Sequence, residues 1–139
     1  MLAARPAAFG NDVAMKRRHI RIDDRLEDDD TVVVRGGELG ADEIRADALR
    51  SYVVYGTYAI SVFALRDVTF HELAQESPLV RFDRATLMKV GAIRAVGLRL
   101  EATGRDPRHY SIEFDDLDEG VDLLRRCEHN IVVNPYNLK

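Results

Sequence analysis

The sequence predicts a single α+β domain built on a mixed sheet of four or five strands with about three helices, and an α/β domain is the alternative. Stretches rich in β-branched and aromatic residues alternate along the chain with stretches in which apolar residues recur every three or four positions. Hydrophobic residues make up 46% of the chain, which is enough for a core. A length of 139 residues leaves room for only one such core.

Composition argues against several classes of protein. The net charge of -4 provides no field that would draw the whole chain to nucleic acid or to an anionic membrane, so neither is an expected partner. No apolar stretch is long enough to cross a bilayer, and the first ten residues lack the basic start and apolar run of a signal peptide. The single cysteine, Cys127, can form no internal disulfide. We therefore expect a cytoplasmic protein.

Residues 1–30 are predicted to form a flexible charged arm, and residues 31–139 a globular domain. The arm opens with small residues and continues with a basic run at residues 15–21 and an acidic run at residues 23–30. Neither run has apolar periodicity, so we expect neither to bury a face. Met15 is an alternative start of the chain.

The first elements of the domain are predicted from three consecutive patterns. Residues 31–35 form an uninterrupted β-branched run, which is typical of a buried strand. Residues 41–55 have apolar side chains at helical spacing, and Gly56 follows the last turn as a stop signal. Residues 57–64 again favour a buried strand. This order predicts a crossover unit without deciding whether its strands are parallel.

The middle of the chain has weaker patterns. Asp67 is predicted to cap a short helix that ends before Pro78. Residues 79–91 fit neither the helical nor the strand period cleanly. We expect a strand in this stretch, followed by a helical turn at residues 92–96.

A β-hairpin and a final helix are predicted near the end of the chain. Residues 98–102 and 110–114 alternate between apolar and polar side chains, and the stretch between them is rich in turn residues. Asp116, with Glu119 three residues later, predicts the start of a helix with an apolar stripe. The apolar residues 131–133 are expected to form an edge strand.

No catalytic signature of known strength occurs. The sequence has no Walker loop, dinucleotide-binding glycine fingerprint, HExxH, paired CxxC or GxSxG. Gly36 and Gly37 lie between a strand and a helix, where backbone amides could bind phosphate, but a tight turn is the favoured explanation. Cys127 and His129 cannot complete a tetrahedral site by themselves, so no metal is predicted, and Cys127 is expected to be a buried, unreactive thiol.

The most suggestive arrangement for chemistry consists of three residues on separate predicted strands. Arg35 ends the first strand, Ser61 lies within the second, and Glu113 lies in a later one, two residues before Asp115. In that order and on those elements they resemble the arginine, serine, glutamate class of ADP-ribosyltransferases. The resemblance implies that Arg35 holds a phosphate of NAD and that the strand of Ser61 braces the nicotinamide pocket. It also implies that Glu113 stabilises the oxocarbenium-like centre formed when nicotinamide leaves.

The turn of the predicted hairpin carries a second candidate site. Its residues Arg105, Arg108, His109 and Tyr110 combine positive charge with aromatic rings, a combination that can bind phosphate or a nucleobase. A solvated turn is the simpler explanation of the same residues.

Three functions are therefore left open by the sequence. The first is a small cytosolic binding or regulatory domain that needs no cofactor and acts with a protein partner or as a homo-oligomer. The second is an ADP-ribosyltransferase-like enzyme that cleaves NAD or a nucleotide, of the size typical of bacterial toxin modules and therefore a candidate toxin–antitoxin component. The third is an RNA-binding module that uses the hairpin.

Overall fold

The computed structural model describes residues 15–76 and 78–137. Within them, the predicted α+β class is confirmed. The strands are β1 (Thr31–Gly36), β2 (Tyr58–Ala64), β3 (Arg84–Lys89), β4 (Arg99–Ala102), β5 (His109–Phe114) and β6 (Asn130–Val133). The helices are α1 (Ala41–Tyr55), α2 (Phe70–Ala74), α3 (Val90–Ala95) and α4 (Leu117–Arg126), with a 3₁₀ turn at Leu79–Arg81. In these ranges no helix is both long and apolar enough to span a membrane.

All six strands belong to one sheet in the order β4-β5-β2-β1-β3-β6. The sheet therefore has one or two strands more than predicted. Every neighbouring pair is antiparallel, so the sheet is purely antiparallel, whereas a mixed sheet was expected from the sequence. The predicted strand–helix–strand unit corresponds to β1, α1 and β2, and its two strands pair antiparallel. The hairpin prediction is confirmed by β4 and β5.

The sheet splits between β1 and β2. These strands pair at only two positions, the last of which joins Val33 to Phe63. The same register would bring Arg35 opposite Ser61, but the strands form no pair there. An irregularity between Val33 and Arg35 instead lets the end of β1 follow β3, as β-bulges do when they bend a strand. The start of β2 follows β5, so a gap opens between the two halves of the sheet.

The main core lies between one face of the sheet and the helices α1 and α4. Because successive strand side chains point to opposite faces, alternate residues of each strand enter it. Its buried members include Val32, Val34, Ile44, Ala48, Ile60, Val62, Ile112 and Leu124. A smaller cluster on the opposite face joins β1 and β3 to α2 and the 3₁₀ turn through Val33, Leu73, Leu79 and Ala85.

Residues 15–30, the second part of the predicted arm, lie against the domain. Leu26 is only 4% exposed and belongs to the main core, so the expectation that the arm buries no side chain is wrong there. Ile20 forms an isolated antiparallel bridge with Thr103. Residues 1–14 lie outside the described residues, and the flexibility of the arm stays a prediction.

Helix ends follow the predicted signals at α1 and α4 but not at α2 or at α3, which covers Val90–Ala95 and not residues 92–96. The bounds predicted for α1 are confirmed, with Gly56 in the left-handed conformation at its end. Asp116 caps α4 as predicted, accepting a hydrogen bond from the Glu119 amide. The cap of α2 is Thr69 and not Asp67, because Thr69 and Glu72 satisfy each other's backbone amides in a capping box.

Candidate functional site

A cleft of about 760 Å³ lies where β1 and β2 separate. Its floor is formed by residues of β1, β2 and β5, and one wall by the second half of α1. The segment around the 3₁₀ turn forms a second wall, and Arg18 and His19 of the N-terminal segment form a third. This volume lies within the range of about 300–1,000 Å³ that is usual for small-molecule sites.

Arg35 lines the cleft as part of an arginine-rich cluster. Its Nη1 donates to the Asp47 carboxylate over 3.0 Å, and Arg50 donates to the other oxygen of the same carboxylate. All three side chains line the cleft. One carboxylate cannot satisfy two guanidiniums, each of which has five N–H donors. The cluster therefore has a net positive charge and spare donors for an anionic ligand.

Ser61 lies on the floor of the same cleft. It is exposed and is paired with Ser111 of β5, which also lines the cleft. The Ser111 hydroxyl is engaged with Thr103, since their oxygens are 2.7 Å apart. Two of the three residues that carry the resemblance, Arg35 and Ser61, are thus brought together by the fold.

Glu113 lies on the same face of the sheet, beside the cleft. It is two residues from Ser111 on β5 and pairs with Ala59, which lines the cleft. Its side chain is nearly buried, at 9% exposure, and its two oxygens accept hydrogen bonds from Arg18 and Arg99. Because Arg18 lines the cleft and binds the carboxylate, Glu113 is connected to the cleft through Arg18.

Arg18 is a site residue that the sequence analysis missed. The basic run that contains it was interpreted as part of a solvated arm, and no local pattern indicates a partner 95 residues away. Its Nη1 is buried and has no hydrogen-bond partner among the described residues. An unsatisfied buried donor in a cleft wall is a group that a bound anion or water can complete.

The two arginines of the predicted hairpin site do not point into the cleft. Arg105 is exposed. Arg108 donates to Asp106 over 2.8 Å and to Glu76 over 3.1 Å. The hydrogen bonds from Arg108 lower the pKa of Asp106 to about 2. Arg108 is therefore balanced by two carboxylates of its own chain.

The aromatic residues of this hairpin have separate locations. His109 lines the cleft, and its Nδ1 lies 2.9 Å from the carbonyl oxygen of Thr103. Tyr110 is only 1% exposed, and its hydroxyl donates to Asp24 over 2.7 Å. Burial and the negative charge of Asp24 raise the pKa of Tyr110. A ring buried to this extent has no free face on which a nucleobase could stack.

The glycines and the cysteine have structural explanations. A Cβ at Gly36 would collide with the Phe82 ring, and Gly37 has a φ of 83°, which favours glycine. Cys127 is buried, and burial raises the pKa of its thiol, as expected for a packing role. Within residues 15–76 and 78–137 no group of three acidic, histidine or cysteine side chains is arranged to hold a metal ion.

Comparison with protein families, curated proteins and solved structures finds no match. Function must therefore be argued from the cleft itself. Its distinguishing features are an arginine cluster on one wall, a serine on the floor, and a nearly buried carboxylate next to it.

Proposed function

We propose that the protein cleaves NAD in the manner of an ADP-ribosyltransferase, with the substrate bound in the cleft between β1 and β2. One observation carries the proposal. Arg35, Ser61 and Glu113 are far apart in sequence, yet they lie on β1, β2 and β5 around a single cleft: two line it and the third lies beside it on the same sheet face.

The arginine cluster suits the pyrophosphate of NAD. Arg35 and Arg50 both donate to the Asp47 carboxylate, and Arg35 Nε also donates to the Gly36 carbonyl over 3.3 Å. Their remaining donors can bind phosphate oxygens in a two-pronged manner. Tyr55 and Phe82 also line the cleft and offer apolar surface for the rings of the substrate. Charge and apolar surface therefore match the two kinds of group that NAD contains.

Glu113 is assigned the role of stabilising the reacting centre. In the reaction, the bond between ribose C1′ and the nicotinamide nitrogen breaks, and nicotinamide leaves with the bonding electrons. Positive charge then develops on C1′ and the ring oxygen, and a carboxylate held close to that charge lowers the barrier. Water or an acceptor side chain forms the new bond to C1′ and releases a proton.

The test is release of nicotinamide from NAD by the purified full-length chain, measured by chromatography. We expect Glu113→Gln to lower the rate by about 10²–10³, the usual effect of removing one preorganised electrostatic group. Glu128→Gln, at an exposed position after α4, is the matched control and should retain the wild-type rate. Equal rates for the Glu113→Gln variant and the wild type would contradict the proposal. The proposal would also be contradicted if neither the wild type nor the Arg18 variants described below cleaved NAD.

The same experiment also tests the alternative expected from the sequence, a binding domain without catalytic activity. A chain that binds ADP-ribose in this cleft but leaves NAD intact in every variant supports that hypothesis instead. A cytoplasmic location and a toxin–antitoxin role also stay predictions. The location is favoured by a lone buried thiol, which suits a reducing compartment.

A further inference from the structure

We infer that residues 15–21, here named the N-terminal strap, form an autoinhibitory cover of the cleft that is closed by the ion pair between Arg18 and Glu113. The inference rests on the proposed function and describes how that site is regulated. It follows from the path of the strap, from the partner of Glu113 and from the unequal attachment of the two ends of the strap.

The strap crosses the cleft from one side to the other. At its start, the Lys16 amide donates to the Val54 carbonyl of α1 over 2.9 Å. Near its end, the Gly104 amide of the β4–β5 hairpin donates to the His19 carbonyl over 2.8 Å. Val54 and Gly104 both line the cleft, as do Arg18 and His19 of the strap. Residues 16–19 therefore run between two elements that line the cleft, and Arg18 and His19 form part of the lining.

Arg18 engages the carboxylate that the reaction needs. A guanidinium bound to Glu113 is a positive charge held next to the group whose task is to stabilise a developing positive charge at the substrate. Both oxygens of Glu113 accept hydrogen bonds, from Arg18 and from Arg99, and each neighbouring positive charge weakens the stabilisation that the carboxylate can give to the ribose. Because Arg18 is the partner that lies on the strap, its release should strengthen that stabilisation.

In the closed position one hydrogen-bond donor of Arg18 is left without a partner among the described residues. This donor is its second terminal nitrogen, which is buried. The cost of leaving this donor buried without a partner disfavours the closed state, whereas the ion pair with Glu113 favours it. Such a balance suits an equilibrium between closed and open states that a partner or substrate can shift.

The two ends of the strap are held very differently. Arg21 donates hydrogen bonds to the carbonyls of residues 103, 104, 106, 107 and 109 and to the Asp24 carboxylate. Apart from Arg18, the start of the strap is attached by the bond from Lys16 to Val54 and by Met15, whose side chain packs beside Gly56. His19 and Ile20 are held to the hairpin by the bond from Gly104 and the bridge to Thr103. We therefore expect residues 15–18 to lift from the cleft while residues 19–21 stay in place as the hinge.

The variants Arg18→Gln and Arg18→Glu test the inference in the full-length chain. Both should raise kcat/KM for nicotinamide release by about 10-fold or more, within the usual range of coupling between two sites. Arg18→Glu adds repulsion from Glu113 and should activate at least as strongly. Arg17→Gln, at the exposed neighbouring position, removes the same charge without touching Glu113 and should stay within about twofold of the wild type. Unchanged activity in both Arg18 variants would overturn the inference, and lower activity in both would overturn it and assign Arg18 to substrate binding.

Amide hydrogen exchange gives a second measurement that does not depend on NAD. In Arg18→Gln the Lys16 amide should exchange faster, whereas the Arg21 amide, which donates to the Ala102 carbonyl over 3.0 Å, should keep its rate. Faster Lys16 exchange without NAD cleavage in any variant would disprove the proposed function and leave the strap as a cover of the cleft. If NAD is cleaved but the Arg18 variants change neither the rate of nicotinamide release nor the exchange of the Lys16 amide, the autoinhibitory role of the strap is disproved. The proposed function would not be affected by that result.

Discussion

The guanidinium of Arg35 lies 3.0 Å from the carboxylate of Asp47 in the wall of the cleft, and Arg50 binds the same carboxylate. Arg35 comes from the end of β1, whereas its two partners lie on α1. The helix thus supplies the ion-pair partner of the strand-end arginine and a second positive charge. Because of this excess of positive charge, we expect an anion to bind in the cleft.

Replacing Arg35 should weaken binding of ADP-ribose. Loss of a charge-assisted hydrogen bond to phosphate costs about 1.5–3 kcal/mol, so Arg35→Gln should raise the Kd by about 10- to 100-fold. Arg35→Lys should recover part of the affinity, since it keeps the charge but not the planar fork. Titration calorimetry gives the Kd, and Arg126→Gln on the exposed side of α4 is the control. An unchanged Kd in Arg35→Gln would show that Arg35 does not bind the phosphates of ADP-ribose.

Filling the floor of the cleft should block the reaction without unfolding the protein. Ser61 is exposed and lines the cleft, so Ser61→Phe should change the free energy of unfolding by no more than about 0.5 kcal/mol. Nicotinamide release should nevertheless fall by about 10-fold or more, because the added ring occupies space that the substrate needs. Val133→Phe on the edge strand β6 is the control for an added exposed ring. Equal activity of the Ser61 and Val133 variants would show that the substrate binds elsewhere.

Arg21 should be important for stability. Its side chain is only 14% exposed and satisfies five backbone carbonyls of the β4–β5 hairpin. Four of these bonds are partly buried, and Arg21 also pairs with Asp24. Because loss of hydrogen bonds to a charged group in partly buried surroundings is costly, Arg21→Ala should lower the free energy of unfolding by about 2–3 kcal/mol. Urea denaturation measures the change, and Arg17→Ala should leave the midpoint where it is. A loss below about 0.5 kcal/mol would mean that water replaces these bonds without cost.

The ion pair between Asp106 and Arg108 should make stability depend on pH in acid. The pKa of Asp106 is about 2 in the folded protein, below its ordinary value of 3.8, so its contribution is complete above pH 3.8 and is lost as the pH falls towards 2. The Asp106 side chain is 38% exposed, which limits this contribution to about 1 kcal/mol.

The comparison between wild type and Asp106→Asn tests this pH dependence. The difference in their unfolding free energies should be constant from pH 7 to pH 5, should fall as the pH drops below about 4 and through 2, and should vanish near pH 1. Asp67→Asn, at an exposed position, provides the reference for a neutralised surface carboxylate. A difference that stays undiminished at about pH 1 would assign the effect to something other than the charge of Asp106.

RNA binding through the hairpin has a distinct signature. Because Arg108 is paired with Asp106 and Glu76 and the whole chain has a net charge of -4, we expect no retention of the wild type on an RNA column at moderate salt. Retention that weakens as salt is raised, and disappears when Arg105 and Arg108 are changed to Ala, would instead establish the RNA-binding module.

The elements that were predicted well are those whose signals are local. The helix over residues 41–55 has helical spacing and a terminal glycine, and the helix after Asp116 has its capping residue next to it; both occur as predicted. The cap of α2 was misassigned because Asp67 and Thr69 are both suitable capping types. Only the position of Glu72, three residues after Thr69, distinguishes them.

The features of the candidate site also differ in whether they depend on local sequence or on the folded chain. The resemblance that singles out Arg35, Ser61 and Glu113 rests on residue type and strand position, which are local properties that the sequence shows. That Arg35 and Ser61 face a common cleft depends on the separation of β1 from β2. That Arg18 binds Glu113 depends on folding residues 15–30 back onto the domain.

For this protein, the sequence by itself determined where most helices and strands lie along the chain, since periodicity and capping act within a few residues. Only the tertiary structure decided the order of the strands, the gap in the sheet and the contact between the strap and Glu113. These depend on contacts between residues as far as 95 positions apart, and such contacts form when buried faces and unsatisfied hydrogen-bonding groups find partners across the whole chain.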